Sequence, residues 1–149
     1  MTIGPNALKP NPALAPLAFL IGEWRTTGTH PMLPGKQLPG RTSCAWHQGG
    51  AFMILHSQTD EPDFPDGVAI IGSDDKAGSV TLLWFDERGT SRRYEVEIGH
   101  NTLTWRRDDP ELAQTNTISA EGDGLVSKGR MSQHGGEWTD DLSQTFERA

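Results

Sequence analysis

The chain reads as an all-β protein: an antiparallel up-and-down β-barrel of about ten strands, preceded by one short helix, in a single domain over residues 1–149. Three observations predict this. After Gly22, short runs rich in Val, Ile, Thr, Trp and Phe alternate with clusters of Gly, Asp and Asn, the pattern of consecutive strands and tight turns. No stretch between those runs carries a crossover helix, so the strands are joined as hairpins. A flat meander of that many strands would leave two long unpaired edges, and closure into a barrel removes both.

The elements follow in order. Residues 1–12, with Pro5, Pro10, Pro12 and Gly4, form an irregular arm. Ala13 to Leu20 makes one or two turns of helix, capped by Asn11 and with Pro12 at its first position. Strands are expected to begin near Glu23, Arg41, Phe52, Val68, Val80, Arg92, Thr102, Gln114, Leu125 and Trp138. The turns are His47–Gly50, Asp74–Gly78, Asp86–Gly89, Gly99–Asn101, Asp108–Pro110, Gly122–Gly124 and His134–Gly136. Two longer connections, Pro31–Pro39 and Asp60–Gly67, are rich in Pro and read as ordered loops or lids.

Composition narrows the function classes. The chain has 149 residues, 34% of them apolar, and a net charge of −7. With no basic stripe, neither nucleic acid nor an anionic membrane surface is an expected partner. Cys44 is the single cysteine, which excludes an internal disulfide and a cysteine zinc cluster. Met1 to Pro16 shows no basic stretch followed by an apolar one, and the apolar run from Ala13 to Ile21 is broken by Pro16. A cytoplasmic monomer or homodimer is expected, with a small-molecule ligand and with neither metal nor cofactor.

Leu17-Ala18-Phe19-Leu20-Ile21-Gly22-Glu23-Trp24 is an apolar helix running into Gly-x-Trp at the start of a strand. It resembles the opening of the calycin superfamily, which includes lipocalins, fatty-acid-binding proteins and bacterial relatives of uncharacterised function. The resemblance implies a barrel closed at one end by the helix, with Trp24 packed over that end from inside. Gly22-Glu23-Trp24-Arg25 with Gly28 and Pro31 is also similar to the nitrobindin branch, which implies haem. Two departures weigh against haem. Thr26 stands where that branch has Gly, and Trp138 to Phe146 contains no His where the branch has its haem ligand.

The candidate site residues come from spacing and register. Of the five histidines, His30, His100 and His134 lie beside turn residues and read as solvated, while His47 and His56 flank the Gly49-Gly50 turn. Pairing His47 with Phe52 sets His56 opposite Ser43, about 13 Å along the strands, and a one-residue shift puts the two on opposite faces; neither register lets one metal take both histidines. His56, amid Phe52, Met53, Ile54 and Leu55, is the one histidine expected to reach the interior. Asp60, Asp63 and Asp66 lack calcium-loop spacing and read as a solvated loop, and Cys44 as a core thiol. Trp24, Trp46, Trp84, Trp105 and Trp138 fall in five different expected strands and supply large rigid walls.

Gly89 ends a turn of the type I plus bulge kind, which pairs Asp86 with Thr90, Trp84 with Arg92 and Leu82 with Tyr94. The His100-Asn101 turn then pairs Ile98 with Leu103, Val96 with Trp105 and Tyr94 with Arg107. Leu82, Trp84, Tyr94, Val96, Ile98, Leu103 and Trp105 thereby share the interior face. Arg92 and Arg107 join Tyr94 at one end of it. Two guanidinium groups beside a phenol suit a carboxylate; alternatively they reach solvent at the mouth or pair with Asp86. The expectation is a carrier or sensor that binds a small apolar or amphipathic, acidic molecule through Trp84, Arg92, Tyr94, Trp105, Arg107 and His56. The alternative is an enzyme with His56 as acid/base and Tyr94 or an Arg stabilising charge, and a haem protein is the third reading.

Overall fold

The computed structural model describes residues 9–74 and 78–149. Residues 1–8 of the expected arm and residues 75–77 of the expected 74–78 turn lie outside the described residues. Ten antiparallel strands close into a barrel: β1 (Gly22–Thr29), β2 (Leu38–Trp46), β3 (Met53–Thr59), β4 (Gly67–Ser73), β5 (Val80–Asp86), β6 (Ser91–Gly99), β7 (Thr102–Arg107), β8 (Leu112–Glu121), β9 (Gly124–Gln133) and β10 (Thr139–Arg148). Each strand pairs with its sequence neighbours, and β1 closes the ring on β10. Trp138 is a correction to the expected strands. It precedes β10, in the connection from β9, and is 43% exposed.

A 3-10 helix over Pro12–Leu20 plugs one end. Asn11 caps it by accepting a hydrogen bond from the Ala13 backbone N–H at 3.0 Å, and Pro12 starts it, where no donor is needed. Three residues per turn place Leu14, Leu17 and Leu20 on one face, and all three are fully buried. They pack in the same core as Trp24, Cys44, Met53, Ile71, Leu82, Leu103, Ile118, Leu125 and Phe146, inward residues near the helical end of the strands. Trp24 ties plug to barrel. Its Nε1–H donates to the Leu20 carbonyl at 2.9 Å, its ring meets Phe146 edge-on at 6.5 Å, and the Arg148 guanidinium lies 4.3 Å from its centroid.

No helix among the described residues is long and apolar enough to cross a membrane.

Candidate functional site

The alternation of in and out along each strand continues past the plugged core, but the burial does not. Trp84, Arg92, Trp105, Arg107, Gln114, Asn116 and Gln144 point inward toward the other end of the barrel and all keep some solvent exposure. The inward residues at that end are thus less completely covered than those of the plugged core. That end is bordered by the β1–β2 and β3–β4 connections. These are tied together by an ion pair between Lys36 and Glu61 and by His30 edge-on to Phe64 at 5.9 Å, and Asp60 N–H donates to the carbonyl of Pro39 in β2 (2.8 Å).

The register expected for β5 to β7 is the one observed. Asp86 N–H bonds to the Thr90 carbonyl (3.1 Å), Trp84 faces Arg92, Leu82 faces Tyr94, and Val96 faces Trp105. Glu95 opposite Arg106 sets Tyr94 beside Arg107. Arg92, Tyr94, Arg107, Trp84 and Trp105 therefore line one stretch of lumen. The Trp84 ring lies against the bare backbone of Gly67, where a Cβ would come within 2.2 Å of the ring, and its N–H donates to Asp86 at 2.9 Å. Asp86 also receives Arg88 at 2.7 Å. That bond, and behind it the indole N–H, hold its carboxyl well below the usual carboxylate range against the opposing effect of burial. Asp86 is thus taken by Arg88 and not by Arg92.

Tyr94 heads a polar chain. Its hydroxyl donates to Gln114 Oε1 at 2.7 Å, Gln114 Nε2 donates to Asp141 Oδ2 at 3.0 Å, and His30 Nε2 meets Asp141 Oδ1 at 3.0 Å. Burial pushes the Tyr94 phenol up, against the pull of Arg92 and Arg107, so it stays a protonated donor near neutral pH. The Met32 backbone N–H donates to His30 Nδ1 at 3.1 Å, which leaves the ring proton on Nε2, aimed at Asp141.

Asp141 reaches the lumen because of a bulge. Asp140 pairs with Arg130 and Ser143 with Lys128, both on the outer face, so Asp141 and Leu142 together stand opposite Gly129. A Cβ on Gly129 would sit 2.6 Å from the Leu142 carbonyl oxygen; only glycine admits the bulge there.

Two expectations need correction. His56 does not reach the interior: alternation from Met53, which is buried, turns Leu55 and Ser57 inward and sends His56 outward, exposed, beside Val68. His30 is not a solvated turn residue, because Asp141 and Phe64 enclose its side chain to 12% exposure. Sequence reasoning also missed Asp141 and Gln114. The glycine within β9 signals a bulge, and extending the register by one pair sets Gln114 opposite Arg107. Cys44 is in the core as expected, and burial, with Glu23 adding to it, pushes its thiol up to about 12.

Among the described residues, four buried polar atoms on inward side chains have no hydrogen-bond partner: Arg107 Nε, Asn116 Oδ1, Gln144 Nε2 and Thr26 Oγ1. Arg107 pairs with Asp109 through its terminal nitrogen at 3.3 Å, whereas Arg92 has no carboxylate within ion-pair distance among the described residues. Arg92 and Arg107 share that end of the interior with Asp141, which Gln114 and His30 engage. The residues do not fit haem: His30 has both ring nitrogens engaged, His56 points outward, and β10 contains no histidine.

No family model matches the chain, and no curated protein does. Among solved structures it is similar to Rv2717c from M. tuberculosis, at 18% identity and a TM-score of 0.67, over 95% of this chain and 99% of that one. A second likeness, to a DUF3598 protein of unknown function from Nostoc punctiforme, has 9% identity and a TM-score of 0.28, over 93% of this chain and 100% of that one. The likeness to Rv2717c is one of fold: a closed ten-stranded antiparallel barrel, compatible with binding a ligand in its lumen.

Proposed function

We propose that the protein binds a small amphipathic acid in the half of its barrel away from the plug, as a carrier or sensor of calycin type in the cytoplasm. The observation that carries this reading is the pair of inward guanidinium groups at that end. Arg92 has no carboxylate partner among the described residues, and Arg107 holds a buried Nε–H without an acceptor. Enclosing a guanidinium without a full set of acceptors is costly, and a carboxylate supplies two in the plane of its fork. Trp84 and Trp105 then form the surface against which the body of the ligand lies. Tyr94 positions the site, since its proton is committed to Gln114. The plug-and-Trp24 end supports calycin kinship, and the free thiol supports a reducing compartment.

The alternative of an enzyme loses its base with His56 on the outer face. The His30–Asp141 pair does not replace it, because the His30 proton points at Asp141 and its other nitrogen is occupied by Met32 N–H. The test is a fluorescence titration of 7-hydroxycoumarin-3-carboxylate and of its ethyl ester into the wild type and an Arg92→Ala/Arg107→Ala variant. Losing charge-assisted bonds of about 1.5–3 kcal/mol should weaken the acid tenfold or more in the variant and leave the ester little changed. Equal affinity of the acid for both proteins would refute the reading.

A further inference from the structure

The outer surface of the barrel is uneven in its chemistry. Outward positions on β1 and β6 are polar or charged: Glu23, Arg25 and Thr27 on the first, Arg93, Glu95 and Glu97 on the second. On β3, β4 and β5 they are apolar: Ile54, Val68, Ile70, Leu83 and Phe85. Register makes these five contiguous, because Ile54 faces Ile70, Ile70 faces Leu83 and Val68 faces Phe85. Leu83 is 40% and Phe85 45% exposed, and a contiguous apolar patch on an outer face marks a contact surface. Toward the end away from the plug, the patch is bordered by a polar row at one level along the strands. Arg41 on β2 faces Gln58 on β3, and one step beyond the Ser57–Gly67 and Gly67–Asp86 pairs stand Asp66 and Glu87. The Glu87 N–H donates to the Asp66 carbonyl at 3.1 Å, which fixes that level. Arg41 and Glu87 are both exposed, and neither has an ion-pair partner among the described residues.

We propose that this face is the contact between two copies of the chain in a symmetric dimer. The face is complementary to itself, as a closed two-fold contact requires. A two-fold axis running along the strands between β3 and β4 lays β3 of one copy on β4 of the other and β2 on β5, with every level kept. At the polar level, Arg41 then meets the partner's Glu87 and Gln58 meets the partner's Asp66, and each pair occurs twice. At the apolar level, Ile54 meets the partner's Ile70, and Ala45, which faces Ile54 across β2 and β3, meets the partner's Leu83. Donors on one side of the axis thus oppose carboxylates on the other. Arg41 also has Arg25 directly opposite it on β1, and like charges so placed repel, which favours an incoming carboxylate there. At about 4.8 Å between strands and about 6.8 Å between same-face neighbours, four strands by three levels cover roughly 20 Å by 20 Å. That is a small contact for a dimer, so dissociation in the micromolar range is expected. The face lies outside the barrel, and the proposal does not depend on what the lumen binds.

Analytical ultracentrifugation of the full chain tests this. From about 1 to about 200 µM the wild type is expected to pass from a monomer of 16.3 kDa to a dimer. Leu83→Glu should abolish the dimer by setting a charge in the apolar level. Arg41→Glu and Glu87→Arg should each weaken association about tenfold or more, since each brings like charges together twice. Combined in one chain, the two reversals restore opposite charges and should return the affinity to within about threefold of the wild type. Circular dichroism checks that each variant is folded, and the charge variants, on exposed positions, keep the test open if Leu83→Glu does not fold. A chain that stays monomeric across the range overturns the proposal. So does an association that Leu83→Glu leaves intact, one indifferent to reversal at Arg41 and Glu87, one that the double reversal fails to restore, or growth beyond two copies.

Discussion

Trp24 holds the plug to the barrel, and truncating it to alanine measures that junction. The side chain is 1% exposed, so Trp24→Ala removes a fully buried indole from beneath the helix. Deletions of that size cost about 3–5 kcal/mol in transfer and cavity terms. The Phe146 edge contact and the Arg148 stacking are lost with the ring, which places the expected value toward the upper end of that range. Trp24→Phe keeps a ring but loses the Nε1–H bond to the Leu20 carbonyl, and should cost only about 1–2 kcal/mol. Urea unfolding followed by far-ultraviolet circular dichroism reads both, and an unchanged slope would show that the midpoint shift is a stability change. An alanine variant less than about 1 kcal/mol below the wild type, or a phenylalanine variant as unstable as the alanine one, would refute the account of this end of the barrel.

Other expectations follow from single observations. The Asp86 carboxyl is held below its usual range chiefly by Arg88, so the stability it confers is complete at neutral pH and is lost as pH falls below about 4; Asp86→Asn should flatten that acid limb of a pH–stability curve, and an unaltered limb would count against it. Cys44, with its thiol pushed up to about 12 by burial, should resist iodoacetamide in mildly alkaline buffer in the native protein and react fully in urea, as read by mass spectrometry. Gly129→Ala would set a Cβ 2.6 Å from the Leu142 carbonyl oxygen and force the β10 bulge to shift, so a loss of about 2 kcal/mol or more is expected in chemical denaturation.

Local sequence pattern is enough for the architecture and for one wall of the lumen. Alternation and turn chemistry involve residues within a few positions of each other, and they suffice to place ten strands and the β5–β7 register that sets Trp84, Arg92, Tyr94 and Trp105 on one face. The Asn11–Pro12 start of the helix is legible for the same reason. Parity is less forgiving. His56 is misplaced from sequence because the run from Phe52 to Leu55 is apolar throughout and gives alternation nothing to count, and burial of Met53 decides which way the strand faces. The rest of the site belongs to the tertiary structure. His30 and Asp141 are 111 residues apart, and Gln114 and Asp141 are 27 apart. Asp141 faces inward only because a bulge opposite Gly129 reverses the parity of β10. No local pattern encodes a contact of that kind. It exists once the barrel closes, and closure makes the polar chain from the mouth loop to Tyr94 continuous.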